Sequence, residues 1–348
     1  MEIIIDAMGG DNAPQEIIKG AMLAMPETSA DFIFVGKTEA IEAELAKYKY
    51  DASRVSIEDA REVIDNNESP VFALRKKKDS SIVKSLNMLK DHKDRVLITG
   101  GSTGAALAGG LLLVGRIEGV DRPAIAAMLP GINGGTLLID TGANVDVKVE
   151  NLLEFAILGS AYMEAVVGVK NPRIGLINNG AEEKKGNELT KKAYQALKEQ
   201  KGIHFVGNVE PRDVLNSLAD VLVCDGFVGN AVLKTAEGVG KMFTTVLKQE
   251  VKKSVSAIIG AAFMKKSLRN LKKHFSYEEY GGAPFLGVKG NLIKIHGSST
   301  HVNVIHAIHQ AEKMVNNRVI DSIMERLAQN AQTALEAEAK KENENDQR

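Results

Sequence analysis

Short apolar runs rich in β-branched residues recur along the chain, and helix-like stretches separate most of them. The seven runs are EIIID (2–6), FIFVG (32–36), RVLIT (95–99), TLLID (136–140), RIGLIN (173–178), IHFVG (203–207) and VLVCD (221–225). The intervening segments include APQEIIKGAMLAM and KTEAIEAELAKYK. Alternation of this kind predicts an α/β fold with three α/β/α layers, a Rossmann-like architecture built on a mostly parallel sheet.

Two regions depart from this alternation. Residues from about 236 to 276 have the pattern of a protruding helical hairpin, and a final helix begins at about residue 310. Residues 331–348 are too polar to pack against a core and are expected to be disordered. Because no internal repeat or low-complexity linker is visible, the pattern predicts one α/β domain over residues 1–330, with the hairpin inserted.

The segments that follow the predicted strands are unusually small and polar. Six of them stand out: DAMGGDNAP, GGSTGAAL, DTGANVD, NNGAEEKKGNELT, NVEPRD and DGFVGN. In parallel sheets, ligands bind outside the carboxyl ends of the strands, so we expect these six loops to share one edge and form a site. Turn chemistry also enriches Gly, Asn and Asp, so any single loop can be an ordinary turn.

The loop TGGSTGAAL (99–107) is a candidate phosphate cradle. It follows a strand, enters a helix-like segment and supplies Gly100, Gly101, Ser102, Thr103 and Gly104. Unpaired N–H groups at a helix start, together with the helix dipole, favour anions. The loop lacks the GK[ST] of a nucleotide-triphosphate site and the GxGxxG of a dinucleotide site, so neither cofactor is expected. A tight turn without a ligand is the alternative.

Other loops offer catalytic or binding side chains. Asp225 and Asp140 each end a predicted strand and can accept a proton, bind a metal or cap a helix, and capping is the commonest of these roles in general. A loop lysine such as Lys185 can neutralise phosphate, although EEKK is also a typical solvated charge run. The remaining candidates for substrate binding are Asp6, Gly9, Gly10, Asp11, Asn144, Asn178, Glu182, Gly186, Gly229, Asn230 and His296.

Composition narrows the class of protein. The 348 residues include 26% charged and 44% hydrophobic residues, carry a formal net charge of −1 and contain no Trp, which disfavours a nucleic-acid partner. The one cysteine, Cys224, excludes an intrachain disulfide. No signal peptide or membrane-spanning run is visible, so a cytoplasmic protein is expected. No His/Asp/Glu set has metal-ligand spacing, so neither a metal nor any other cofactor is expected.

Six motifs together resemble the bacterial phosphate acyltransferase family (PlsX). They are DAMGGDNAP, TGGSTGA, DTGANVD, EEKKGNELT, CDGFVGNAVLKT and YGGAPFLGVKG, and they run in order over residues 1–320. The resemblance implies a homodimer with a fold like those of phosphotransacetylases and isocitrate dehydrogenase. It also implies transfer of a long acyl chain from acyl carrier protein to inorganic phosphate. One departure is Asn12, where a histidine is expected more often in the family.

The resemblance suggests roles for the candidate residues. Phosphate would lie against Gly100–Gly104 with Lys185 as its countercharge, and Asn178 or nearby N–H groups would stabilise the oxyanion. Asp225 would orient or deprotonate the phosphate, and Asp6 and Asp140 would shape the floor. The acyl phosphate product would feed phospholipid synthesis through a membrane glycerol-3-phosphate acyltransferase.

Three other functions compete with this one. A short-chain phosphotransacetylase that uses acyl-CoA would need the same loops. A decarboxylating dehydrogenase on a related fold would need a dinucleotide site and a metal carboxylate set, and neither pattern is evident. A non-catalytic membrane scaffold for lipid synthesis would have no need of six polar loops.

The hairpin carries its own signal. Between Val251 and His274 there are seven basic residues and no acid, and Ile258, Ile259 and Phe263 supply an apolar tip near Gly260, which we interpret as a break. A basic face with an apolar tip is typical of a membrane-surface element, here at the anionic inner face of the plasma membrane. The alternatives are a dimer interface and a docking patch for the acidic acyl carrier protein.

Overall fold

A computed structural model describes residues 1–274, 281–330 and 332 of the chain. Within these residues, eleven strands form one sheet. They are β1 (Glu2–Asp6), β2 (Asp31–Gly36), β3 (Val55–Asp59), β4 (Arg95–Thr99), β5 (Ala124–Leu129), β6 (Thr136–Ile139), β7 (Arg173–Ile177), β8 (His204–Val209), β9 (Val221–Val223), β10 (Ala283–Leu286) and β11 (Asn291–Lys294). All seven predicted strands are present, which confirms the α/β class.

Helices cover the sheet or extend from it. They are α1 (Gln15–Ala24), α2 (Thr38–Leu45), α3 (Pro70–Lys76), α4 (Ser81–Leu89), α5 (Thr103–Gly109), α6 (Val149–Tyr162), α7 (Glu188–Glu199), α8 (Gly226–Lys252), α9 (Val255–Phe263), α10 (Lys265–His274) and α11 (His301–Asn316). A further helical stretch covers residues 319–330. No helix of the described residues is long and apolar enough to cross a membrane.

The sheet consists of two parallel halves that run in opposite directions. Its strand order is β3-β2-β1-β4-β11-β10-β5-β6-β9-β7-β8. Strands β3, β2, β1, β4 and β11 are mutually parallel, and so are β6, β9, β7 and β8. Three consecutive antiparallel pairings, β11 with β10, β10 with β5 and β5 with β6, join the halves and reverse the direction.

The central strands form without polar alternation because both of their faces are covered. In β1, Ile3, Ile4 and Ile5 have no exposed surface: Ile3 and Ile5 pack into one apolar cluster and Ile4 into another. Burial on both faces of a parallel sheet requires a continuous apolar run. The core therefore lies in two layers, one on each side of the sheet, and it holds the strand ends in fixed positions.

The predicted hairpin region is helical, with different breaks from those expected. The helices α8, α9 and α10 cover residues 226–274, and the chain interrupts them at Lys253–Ser254 and at Met264. Gly260 lies inside α9, so the prediction of a break there was wrong. Ser254 caps α9 by accepting a hydrogen bond from the N–H of Ala257 at 3.0 Å. Residues 275–276 and the predicted tail, apart from Gln332, lie outside the described residues.

Candidate active site

A cleft of about 250 Å³ lies where the two half-sheets meet. Strand β5 forms its floor through Ile125, Ala127 and Met128. Polar and charged side chains from both halves surround this floor, among them Thr103, Thr141, Asn230, Lys234, Lys294 and His296. Glu237 lines the same cleft and pairs with Lys234 at 2.7 Å, so the cleft combines an apolar floor with a polar rim of mixed charge.

The strand register explains why ends from opposite halves meet there. Lys294, the last residue of β11, pairs with Ala283 of β10. Phe285, two residues after Ala283 in β10, pairs with Ile125 of β5. On the other side of β5, Ala126 pairs with Ile139, the last residue of β6. Both ends thus lie beside the same few residues of β5. The prediction that six loops share one edge was wrong, because the antiparallel centre reverses half of the strands.

Three loops of the first half pack backbone against backbone. A Cβ added to Gly9 would lie 2.6 Å from the nitrogen of Gly101, and one added to Gly100 would lie 2.5 Å from the oxygen of Gly9. The adjacent Gly10 has a φ of 113°, and the N–H of Asp11 donates to the carbonyl of Gly297 at 2.7 Å. Side chains cannot be accommodated at such distances, which accounts for the glycines at the ends of β1 and β4.

Asp6 is buried beneath these loops. Its carboxylate accepts hydrogen bonds from the Thr99 hydroxyl at 2.7 Å and from the Met8 N–H at 3.3 Å. Burial raises the pKa of Asp6, while its hydrogen bonds and the nearby charge of Lys294 oppose that rise. Asp6 therefore supports the first-half loops from below.

Lys294 is a cleft residue that the sequence analysis missed. Its Nζ donates to the carbonyl of Gly100 at 3.2 Å and to that of Ile295, which leaves one of its three N–H bonds without an acceptor in the described part of the chain. Burial lowers the pKa of Lys294 to about 8, against the attraction of Asp6 and Asp11. Perturbed lysines of this kind cluster at functional sites.

The start of α5 borders Lys294. Ser102 is buried and caps the helix by accepting a hydrogen bond from the N–H of Ala105 at 3.4 Å, whereas Thr103 is exposed and lines the cleft. The next residue, Gly104, packs against Pro70 of α3. The backbone of 100–104 is thus held between Gly9, Lys294 and α3, which is the rigid arrangement that a phosphate cradle needs.

His296 follows Lys294 by two residues and is exposed at the cleft rim. The N–H of Ser298 donates to Nδ1 of His296 at 3.2 Å, and the Ser298 hydroxyl lies 2.8 Å from the same nitrogen. Because Nδ1 accepts from the backbone, the neutral imidazole carries its proton on Nε2. His296 can therefore donate a hydrogen bond at the cleft rim.

Asp140 organises the second half of the site. Its buried carboxylate accepts from five groups: the backbone N–H of Ile125, Gly142, Ala143 and Asn144, and the Asn144 side-chain amide. Burial raises the pKa of Asp140, and these hydrogen bonds oppose the rise. Because its lone pairs are occupied, Asp140 positions the loop and is not free to act as a base.

Helix α8 begins directly on this loop. Asp225 caps it by accepting from the N–H of Val228 at 2.8 Å, which is the commonest of the three roles considered for this residue. A Cβ added to Gly229 would lie 1.8 Å from the carbonyl oxygen of Asp140. This close approach places the next residue, Asn230, and Lys234 one turn later along the cleft.

The loop after β7 is organised by its own residues. Asn178 is buried; its side-chain amide donates to the carbonyl of Lys185 at 3.1 Å, and its Oδ1 accepts from the N–H of Asn179. Gly186 packs against this side chain with a φ of 102°, whereas Glu182 and Lys185 are exposed. None of the residues that line the cleft comes from 178–187. Within a single chain, Lys185 therefore does not lie beside the loop 100–104.

Comparison with solved structures defines the fold. A phosphotransacetylase from Streptococcus pyogenes matches 92% of this chain and 94% of its own, with a TM-score of 0.60 and 15% identity. A branched-chain phosphotransacylase from Enterococcus faecalis matches 90% of this chain and 99% of its own, with a TM-score of 0.56 and 14% identity. The two half-sheets with a cleft between them therefore define a phosphotransacetylase-like α/β protein.

Sequence comparison is more specific. A family model described as a fatty acid synthesis protein matches residues 1–322. A phosphate acyltransferase from Clostridium acetobutylicum is 50% identical over 328 residues, 94% of this chain and 99% of the relative. One from Clostridium tetani is 48% identical over 94% of this chain and 98% of the relative. The chain belongs to the phosphate acyltransferase (PlsX) family and is an acyltransferase.

Proposed function

We propose that the protein transfers a long-chain acyl group from acyl carrier protein to inorganic phosphate, for phospholipid synthesis. The observation that carries the proposal is the position of Lys294, a partly buried cation beside a glycine-rich loop in the cleft between the half-sheets. Phosphate acyltransferase relatives that align along almost the whole chain support the choice of acceptor.

The chemistry requires an anion site next to the thioester. A phosphate dianion attacks the thioester carbonyl, its oxygen forms the new C–O bond and the C–S bond breaks. The proton of hydrogen phosphate ends on the departing thiol, so atoms and charge balance without a cofactor. Since phosphate is already substantially dianionic near neutral pH, a strong base is not required.

We assign the phosphate countercharge to Lys294. Its ammonium adjoins Gly100, and the exposed hydroxyl of Thr103 lines the same cleft. On the opposite wall, the amide of Asn230 can donate to the developing oxyanion, because preorganised donors aimed at new negative charge lower the barrier. Asp225 and Asp140 then act by fixing the start of α8, and Asn178 acts by fixing the loop that carries Lys185.

The test is phosphate-dependent release of free carrier from palmitoyl-acyl carrier protein, with trapping of the acyl phosphate. Palmitoyl-CoA and acetyl-CoA serve as parallel donors. Carrier-dependent acyl phosphate is the expected result. Turnover of acetyl-CoA alone would identify a short-chain phosphotransacetylase, and no turnover with any donor would leave the scaffold function as the better explanation.

We also propose that the protein acts as a homodimer at the anionic inner face of the plasma membrane, where the acyl phosphate would pass to a glycerol-3-phosphate acyltransferase. The support for the membrane contact is the exposure of the α9 tip, with Ile258 50%, Ile259 53% and Phe263 88% exposed, between basic segments. The homodimer rests on the family resemblance. Co-sedimentation with anionic liposomes should be lost on Ile259→Glu with Phe263→Glu. Undiminished binding of that variant would remove the tip from the membrane contact.

A further inference from the structure

Helix α3, which no motif singled out, presents an unusual surface. Val71 and Phe72 are 43% and 65% exposed. Arg75, Lys76 and Lys78 are also exposed, and within the described ranges none of the three has a carboxylate at ion-pair distance. Lys76 lies 5.9 Å from the centre of the Phe72 ring. An exposed aromatic flanked by unpaired cations is typical of a protein-binding surface.

This surface adjoins the cleft. Pro70, the first residue of α3, packs against Gly104. Thr103, which precedes Gly104 in the chain, lines the cleft. A seven-residue helix is about 10 Å long, so the exposed residues of α3 lie within about that distance of Pro70, and Lys78 follows two residues after the helix ends. Lys77, by contrast, is turned to the protein: its Nζ donates to the carbonyl of Val63 at 2.8 Å and pairs with Glu68 at 2.6 Å.

We propose that Val71, Phe72, Arg75, Lys76 and Lys78 form the docking surface for the acyl carrier protein, an inference that rests on the proposed function. The thioester arrives attached to an acidic protein, so the docked carrier must lie close enough for the acyl group to reach the cleft. A docking surface for the carrier must therefore be basic and must lie beside the cleft. The α3 surface has both properties. A surface that binds anionic lipid would need the positive charge, but it would not need to lie beside the cleft.

The first experiment measures binding to the full-length protein by fluorescence anisotropy of dye-labelled holo-acyl carrier protein. The test variant is Arg75→Glu/Lys76→Glu/Lys78→Glu. The matched control is Lys248→Glu/Lys252→Glu/Lys266→Glu, which makes the same charge change at exposed lysines of α8 and α10. We expect the Kd to rise at least tenfold for the α3 variant and to stay within twofold for the control.

A second variant separates charge from shape. Phe72→Ala leaves the charge unchanged and removes the apolar centre, so it should raise the Kd about fivefold with little change in its salt dependence. An α3 triple variant that binds within twofold of the parent would overturn the proposal. Equal weakening by the hairpin control would also overturn it, because the attraction would then be non-specific.

Kinetics distinguish failure of the docking surface from failure of the proposed function. If the parent makes no acyl phosphate from palmitoyl-acyl carrier protein, the function itself is wrong. If it does, the α3 variant should raise KM for that donor at least tenfold and leave KM for phosphate within twofold of the parent. Loss of anionic-vesicle binding by the α3 variant, with carrier affinity intact, would assign α3 to lipid and overturn the proposal.

Discussion

Two polar loops at strand ends, 100–104 after β4 and 178–187 after β7, were both candidates for the phosphate site from sequence, and they differ in structure. The first is enclosed by Gly9, by α3 and by the partly buried ammonium of Lys294. The second carries the exposed Lys185 and is held by its own Asn178. We therefore place the proposed anion site at the enclosed loop and interpret the second loop as a solvated charge run, because a cation acts most strongly where water is excluded.

The largest expected effect comes from the two lysines. Lys294→Met should lower kcat/KM for phosphate by about 10²–10³-fold, the usual loss on removal of one preorganised group, or about 3–4 kcal/mol. The loss of kcat/KM for phosphate in Lys185→Met should be at least ten times smaller than the loss in Lys294→Met. Steady-state rates at several phosphate concentrations provide the measurement, and equal losses in the two variants would contradict the contrast between the loops.

Stability serves as the control for Lys294. The folded pKa of about 8 lies below that of an unfolded lysine, so holding the ammonium in the fold costs about 3 kcal/mol below pH 8. That cost declines as the pH rises from about 8 toward the unfolded value near 10.4. At pH 7, Lys294→Met should therefore melt no lower than the parent, and a large fall in Tm would assign its activity loss to unfolding.

Two glycines of α8 test how tightly the second half is assembled. Gly229→Ala would place a Cβ 1.8 Å from the Asp140 carbonyl oxygen, so we expect a loss of about 3 kcal/mol in the free energy of unfolding. Gly238→Ala in the same helix meets nothing within 4 Å and should raise stability by about 1 kcal/mol. Urea unfolding measures both, and similar behaviour of the two variants would contradict the described contact.

The pH dependence gives a smaller, graded effect. Since the proposed role of Lys294 requires its ammonium form and its pKa is about 8, kcat/KM for phosphate should fall about tenfold per pH unit above that pH. At acidic pH it should fall as well, because the attacking phosphate dianion becomes protonated. Lys294→Arg, which keeps its proton, should move this alkaline limb upward by more than one pH unit. A limb unchanged in the Arg variant would assign the titration to another group.

The sequence predicted seven strands of one mostly parallel sheet, and it missed the edge strand β3 and the antiparallel centre that divides the sheet into two halves. The run AIAAML of β5 has little β-branching and no alternation, so nothing local distinguishes it from a helix. Strands β10 and β11 have four residues each, and Phe285 pairs with Ile125, 160 positions earlier in the chain. Tertiary pairing determines such strands, and a local pattern cannot reveal it.

The same limit applies to the site. Gly9, Gly100 and Asp6 were identified because they follow strong strand signals, and they do pack together beside the cleft. Lys294 was missed because its chemistry arises from the missed strand β11, which places it beside Gly100. Asn230 was identified through its loop, although its place in the cleft follows from the contact between Gly229 and Asp140.

The most direct test of the cleft as the phosphate site is the phosphate dependence of acyl phosphate formation at saturating palmitoyl-acyl carrier protein. We expect Lys294→Met to raise KM for phosphate at least tenfold while the affinity for the carrier stays within twofold of the parent. A Lys294→Met enzyme with the parental KM for phosphate and a kcat within threefold of the parent would show that phosphate binds elsewhere.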